Sequence, residues 1–298
     1  MTVFVILHYL SKEMTDECVN KIKDTIKNEN IKIIIVDNAS SNGTGFQLKS
    51  EYENDPLCDV ILNKQNLGFA RGNNVGYQYA KAHYSPDFII VMNNDVLIND
   101  AEFIDKIQKI YRETNFDVLG PDILAVKTGI HQNPMKAKPY SKSDLEIILK
   151  ERQRWLAHYK LHYTRQYVGA KIKNRIKKIV HWKPRNPEEI NPLHTESRIE
   201  NPVLHGACLI FSKRFIKNEA VAFNPGTFLY MEEDILHYNC RKKGYKLLYD
   251  SSVIVHHLED VSTNLEYKTN YEKRKMKYTN LVQSINVLLQ LMNEDENK

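Results

Sequence analysis

The chain has 298 residues, 42% of them hydrophobic, with 11 Gly, 10 Pro and a formal net charge of +5. That composition excludes fibrous and disordered classes and suits one large α/β domain or two smaller ones. The net charge is too small to diagnose a nucleic-acid binder.

Val3–His8 reads as a strand, because its apolar run is short and no basic segment precedes it as in a signal peptide. Residues 12–28 predict a helix with Val19, Ile22 and Ile26 on one face, and Ile31–Val36 a second strand. Val60–Leu62, a helix over Phe69–His83, a strand over Phe88–Met92 and a helix over 100–114 follow. This β-α-β-α rhythm implies a mostly parallel sheet flanked by helices on both faces. From about residue 125 to 200 the rhythm fades. Residues 144–182 predict helix, and Lys150–Arg185 carries about a dozen Lys or Arg against one acid, Glu151. Val168, Ile172, Ile176, Ile179 and Val180 repeat at helical spacing between basic residues, a pattern that suits an anionic membrane surface or, equally, a solvated helix face. Strand signals return at Val203–Phe211, Lys246–Tyr249 and Val253–His256, with helices over Glu233–Lys243 and 265–292. The four cysteines are widely spaced without a Cys-x-x-Cys pair, which argues against zinc ribbons and redox motifs and suits a reduced compartment. No apolar stretch approaches membrane-spanning length, so a cytoplasmic protein is expected, with any membrane contact peripheral and at the inner face.

Five polar clusters sit where strands end. Asp37, in Val36-Asp37-Asn38-Ala39-Ser40, can accept hydrogen bonds from a base or ribose, although the same residues are good turn chemistry. Asn66 to Asn74 opens a helix with Gly68, Arg71 and Asn73, an arrangement suited to an anion such as a diphosphate. Phe88 to Asp95 is an apolar run stopped by Asn93-Asn94-Asp95, whose oxygens suit Mg²⁺ or Mn²⁺ bridging to a diphosphate. Glu232-Glu233-Asp234 opens a helix; the macrodipole favours acids there, and a catalytic carboxylate is the sharper reading. His256-His257 ends an apolar strand, and two histidines beside a metal site favour a ligand role.

In this order and spacing the clusters resemble the family 2 glycosyltransferases of the GT-A fold, most closely the bacterial branch with rhamnosyltransferases. The resemblance covers about residues 1–125 and 200–282. It implies a GT-A domain over 1–264: a nucleotide-binding half to about 125, a basic helical insertion over about 126–200 and an acceptor and catalytic part over about 201–264. A C-terminal helix follows over 265–298. By the resemblance, Asp37 contacts the nucleotide base, and Gly68, Arg71 and Asn73 form the nucleotide-binding loop. Asn93-Asn94-Asp95 stands for the metal motif, with Asn94 and Asp95 toward the sugar nucleotide and Asp95 on the ion. Gly206, Ala207 and Glu233 line the acceptor site, and Asp234 is the general base. Arg241 matches an arginine of the following helix, His256 completes the metal shell, and Arg274 matches a basic residue near the diphosphate. Asn93 departs from the acid at the first motif position, and His257 competes with His256.

The implied reaction is inverting transfer of a sugar from a dTDP- or UDP-linked donor to a hydroxyl of a saccharide, in bacterial surface polysaccharide assembly. A polyprenyl-diphosphate-linked acceptor would account for the basic block. The alternatives are a non-catalytic membrane-associated protein on a degenerate transferase fold, and a sugar-phosphate nucleotidyltransferase. The latter wants a glycine-rich basic signature where this chain has Leu7-His8-Tyr9-Leu10-Ser11. No nucleic-acid partner is expected. Donor sugar, linkage and oligomeric state are not legible.

Overall fold

The computed structural model describes residues 1–27, 30–161, 163–164, 197–259 and 270–297. Its first half is a parallel β-α-β array: β1 (Thr2–His8), α1 (Lys12–Thr25), β2 (Ile31–Asp37), α2 (Thr44–Tyr52), β3 (Cys58–Leu62), α3 (Gly68–His83) and β4 (Phe88–Asn93). A two-residue β5 (Val96–Leu97), α4 (Phe103–Thr114), β6 (Val118–Ala125) and α5 (Lys142–Ala157) follow. After the undescribed stretch come β7 (Arg198–Glu200), β8 (Cys208–Ser212), α6 (Lys213–Asn218), α7 (Glu232–Lys242), β9 (Leu247–His257) and α8 (Asn270–Glu296).

All the described strands join one sheet in the order β3-β2-β1-β4-β8-β6-β9-β5, with β7 also on β9. Strands β3, β2, β1 and β4 run parallel. Strand β8 enters antiparallel beside β4, β6 is antiparallel to β8, and β9 is parallel to β6. The parallel character thus belongs to the first half, and the whole sheet is mixed. Alternation along each strand supplies its two faces. Phe4 and Ile6 pack beneath α1 and α4 with Val19, Ile22, Ile104 and Ile107. Val3 and Val5 pack on the other face with Tyr77 of α3, Phe215 of α6 and Leu236 of α7. A third apolar cluster joins Leu145 of α5 and Ile235 of α7 to Ile285, Leu288 and Leu289 of α8. The four cysteines are free and buried.

The structure departs from the sequence reading in several elements. Helix α2 was hidden by its weak apolar stripe; it begins after Gly43, which adopts a left-handed φ of 77°. Strand β6 was masked by Gly120-Pro121, which the sheet absorbs at a register shift between Pro121 and Asp122. The two strands expected around Asp250-Ser251-Ser252 are one strand, β9. That stretch reads as a turn, yet Asp250 accepts bonds from Arg198 Nε at 2.7 Å and from Ser252 N at 3.0 Å, so its polar groups are satisfied in place. Helix α5 begins at a reciprocal capping box between Ser141 and Asp144. The expected basic helix around 168–180 lies outside the described residues. No described helix is long and apolar enough to cross a membrane.

Candidate active site

The first half of the site follows from strand order. β1 lies between β2 and β4: the chain steps outward from β1 to β2 and β3 with α1 and α2 on one face, and α3 then carries it back over the other face to β4, so a crevice opens at the carboxyl ends of β1 and its neighbours. Register places His8 of β1 beside Asp37 of β2, and Leu7 beside Asn93 of β4. Asp37 and Asn93 therefore flank one strand end at nearly the same level.

Asp37 is buried and accepts the Ser40 amide at 3.2 and 3.3 Å, so the expected turn chemistry is also present. Behind it, His8 hydrogen-bonds Thr15 Oγ1 at 2.7 Å and Thr44 Oγ1 at 2.9 Å. Burial pushes the His8 pKa down to about 4, even with Asp37 nearby, so the ring is neutral at neutral pH.

Asn38 organises the next loop. Its Oδ1 accepts the Leu67 amide at 2.9 Å, and its Nδ2 donates to Asn66 Oδ1 at 2.9 Å and to Gly68 O at 3.1 Å. Gly68 opens α3 at φ 76°, and a Cβ there would lie 2.2 Å from Phe228 O, which accepts the Phe69 amide at 2.8 Å. Only glycine suits that backbone and that contact. Arg71 is exposed on the first turns of α3, whereas Asn73 is buried, donates to Phe69 O at 3.0 Å and leaves its Oδ1 without a partner.

The end of β4 divides its polar residues. Asn94 turns inward, donating to Thr15 Oγ1 at 3.0 Å and Ser11 O at 3.4 Å. The Asn93 amide donates to Ala207 O at 2.9 Å, which joins the Gly206-Ala207 loop to this strand end. Asp95 is buried, with Oδ1 3.3 Å from Nε2 of His257. His256, the histidine expected beside Asp95, instead places Nδ1 3.0 Å from Nδ2 of Asn99. The reason is the pleat: adjacent residues of β9 point to opposite faces, so only one of the pair can meet Asp95. The structure thus places His257, and not His256, beside Asp95.

A carboxylate oxygen and an imidazole nitrogen form a donor set compatible with Mg²⁺ or Mn²⁺. Their separation suits two adjacent ligands on one ion, since bonds of about 2.1 Å at right angles put donors about 3 Å apart. The described residues contain no group of three or more His, Cys, Asp or Glu suited to holding a metal.

The acids stand across the Gly206-Ala207 loop. Tyr230 and Met231 both take left-handed φ, 72° and 66°, and the chain turns sharply into α7. Glu232 is buried with Oε1 unpartnered, and burial next to Glu233 pushes its pKa up to about 8. Glu233 accepts the Gly206 amide at 3.3 Å; burial, and secondarily the Asp234 charge, raise its pKa. A Cβ at Gly206 would stand 2.7 Å from Glu233 Oε1, so glycine permits this approach. Asp234 is buried and ion-paired with Lys136, whose ammonium also lies 3.8 Å over the Tyr140 ring. Asp234 lines a cavity of about 440 Å³ with His237, Arg241, Tyr140 and Leu288. Arg241 is thus placed on that cavity, and Arg274 lies over the Tyr163 ring at 5.9 Å.

Several site-shaping residues were missed in sequence: Asn38, Gln132, Asn133, Lys136 and His205. Asn133 donates to Pro121 O at 2.6 Å and accepts the His205 amide at 3.0 Å, bracing the Gly206-Ala207 loop. Asn38 had a signal, as the neighbour of Asp37, and so had His205, as the neighbour of Gly206; the others lie in a stretch without a motif.

The geometry places candidate nucleotide, metal and acid groups at one sheet edge. A model of glycosyl transferase family 2 matches residues 3–217, most of the chain and through the middle block. The chain belongs to that family. It is 28% identical over 120 residues to the low-salt glycan biosynthesis hexosyltransferase Agl10 of Haloferax volcanii, covering 40% of this chain and 36% of that protein. The match thus spans well under half of that relative. Among solved structures, Staphylococcus aureus TarS 1–349 in complex with UDP superposes with TM-score 0.51 at 14% identity, covering 86% of this chain and 59% of that one. The Pyrobaculum calidifontis mannosyltransferase PcManGT in complex with GDP-Man and Mn²⁺ gives 0.53 at 10% identity, covering 98% and 70%. GalNAc-T7 with UDP, GalNAc and Mn²⁺ gives 0.56 at 14%, covering 88% and 44%. At such identities these likenesses establish a shared GT-A-like fold.

Proposed function

We propose that this family 2 member is an inverting glycosyltransferase moving a hexosyl group from a nucleoside-diphosphate sugar to a hydroxyl of a saccharide acceptor. The observation that carries this reading is the convergence of Asp37, Asp95 with His257, and Glu233 on the edge around the end of β1. Asp37 would receive the base, the Asn38-braced loop and Arg71 the anionic part of the donor. Asn93, Gly206 and Ala207 border the space between donor and acceptor. Asp95 and His257 would hold a Mg²⁺ or Mn²⁺, which when bound neutralises charge developing on the departing diphosphate. TarS in complex with UDP, PcManGT with GDP-Man and Mn²⁺, and GalNAc-T7 with UDP, GalNAc and Mn²⁺ support a donor of this class.

A carboxylate base takes the proton from the acceptor hydroxyl as its oxygen attacks the anomeric carbon, and the nucleoside diphosphate leaves from the opposite face. Two acids compete for this role. Glu233 reaches the loop bonded to Asn93, which favours it as the base. Asp234, the acid favoured by the sequence, is held by Lys136 but lines the adjoining cavity, and that observation supports it as the second reading. Turnover of a panel of UDP-, dTDP- and GDP-sugars should separate them. Glu233→Gln should lower kcat by about 10²- to 10⁴-fold with donor binding retained, and Asp234→Asn by much less. The opposite ranking would return the role to Asp234, and no turnover of any donor by the unaltered protein would sink the reading.

The acceptor we favour is a lipid-linked saccharide presented at an anionic membrane in surface polysaccharide assembly. Support comes from the basic block at Lys150–Arg185. Sedimentation with phosphatidylglycerol vesicles at low salt should capture the protein. Failure to bind would remove the membrane part of the reading and leave the transfer chemistry standing.

A further inference from the structure

His257 ends β9 with its two ring nitrogens in different company. Nδ1 is 2.7 Å from Oε1 of Gln132, and Nε2 is 3.3 Å from Oδ1 of Asp95. An amide can present either its oxygen or its nitrogen, so the first contact alone does not say which partner carries the hydrogen. The other end of Gln132 decides it. That end lies 2.7 Å from Oε1 of Glu259, and an ionised carboxylate only accepts. The Gln132 nitrogen must therefore face Glu259, and its oxygen must face the imidazole. Nδ1 of His257 then carries the hydrogen and donates it.

In the neutral ring, the form in which an imidazole ligates a metal, Nε2 then keeps its lone pair, directed at the Asp95 carboxylate. Two acceptors then face one another across 3.3 Å at the candidate metal position. A cation between them satisfies both. Gln132 lies in the strap joining β6 to α5, a stretch to which neither the sequence motifs nor the transfer chemistry assigns a role.

We propose that Gln132 is a positioning residue for the metal site: oriented by Glu259, it selects the His257 tautomer whose Nε2 is free to ligate a divalent cation alongside Asp95. This rests on the reading of Asp95 and His257 as the metal pair. The order Glu259, Gln132, His257, cation, Asp95 is a relay in which each donor points to an acceptor. Partners of this kind orient ligating histidines and raise their basicity, and their loss typically costs about 10- to 100-fold in metal affinity.

The test is a Mn²⁺ titration of the full chain, followed by the electron paramagnetic resonance of free Mn²⁺, with no sugar nucleotide present. Gln132→Leu should weaken Mn²⁺ binding by about 10- to 100-fold. Glu259→Gln should weaken it by a smaller factor, because a second amide lets Gln132 turn either way. In the unaltered protein without metal, long-range ¹H–¹⁵N correlation at neutral pH should show the His257 ring protonated at Nδ1. A ring protonated at Nε2, or Mn²⁺ affinity unchanged in folded Gln132→Leu, overturns the proposal. If Gln132→Leu does not fold, the ring spectrum and Glu259→Gln still decide. His257→Ala separates the two levels of argument: if it binds Mn²⁺ as well as the unaltered protein, the metal reading itself fails. If it loses binding while Gln132→Leu keeps it, only the role of Gln132 fails.

Discussion

Lys136 shows how one side chain can adjust a cluster of acids. Glu232, Glu233 and Asp234 are consecutive at the start of α7, and Lys136 is the cation paired with the last of them. Its charge opposes the rise in the Glu233 pKa caused by burial and by Asp234. Removing it makes ionisation of Glu233 harder. Lys136→Met should therefore move the acidic limb of the kcat/KM profile to higher pH, while Lys136→Arg keeps it in place. An unmoved limb in a folded Lys136→Met would show that Glu233 is not the titrating base. Glu232 makes a stability prediction of its own. Its folded pKa, about 8, lies above the ordinary carboxyl value, so its protonated form is favoured in the fold. The stability associated with that group is full below the unfolded pKa and is lost as pH rises toward 8. Glu232→Gln should consequently gain thermal stability over the unaltered protein as pH increases from 5 to about 8, read from Tm at each pH. A gap that narrows with pH would contradict the assignment.

Among elements, the decisive one is the loop from Phe223 to Met231, which follows α6, leads into α7 and is hydrogen-bonded to α3 on the way. Asn74 of α3 donates to Phe223 O at 2.8 Å and accepts the Phe223 amide at 2.9 Å. Phe228 O then holds the Phe69 amide, beside the left-handed Gly68. The candidate nucleotide loop and the candidate base thus share a backbone. Gly68→Ala places a Cβ against Phe228 O in a backbone region that costs an L-residue about 1–3 kcal/mol before any clash. It should lower stability by at least about 2 kcal/mol in urea denaturation and raise KM for donor. Unchanged stability would mean that this loop yields more freely than its hydrogen bonds indicate.

At the scale of the whole molecule, the C-terminal helix α8 ties α7 to α5. It packs Ile285, Leu288 and Leu289 against Leu145 of α5 and Ile235 of α7, and Ser284 Oγ donates to Leu229 O at 3.1 Å. It therefore supports the turn that delivers the acids as well as burying apolar surface. Ile285→Ala, at a fully buried position, should cost about 2–5 kcal/mol. Measured by chemical denaturation, a loss under about 0.5 kcal/mol would show that α8 is an appendage rather than part of the core.

The sequence by itself determined the first half of the fold and most of the candidate edge. Val3–His8, Ile31–Val36 and Phe88–Met92 are continuous apolar runs that end in polar residues, and parallel strands buried on both faces leave little other choice. It also carried the family resemblance, through clusters local enough to read in order along the chain. Only the tertiary structure decided what each of two adjacent residues touches: His257 and not His256 stands beside Asp95, and Glu233 holds the Gly206 amide while Asp234 pairs with Lys136. His256 and His257, and Glu233 and Asp234, differ by one position, and their directions depend on strand pleat, helix phase and the left-handed turn at Tyr230-Met231. Lys136 and Gln132 carried no local signal, because their partners Asp234 and Glu259 lie 98 and 127 residues away. Such long-range contacts arise when the strap after β6 crosses the sheet edge, a consequence of topology that no spacing within the strap encodes.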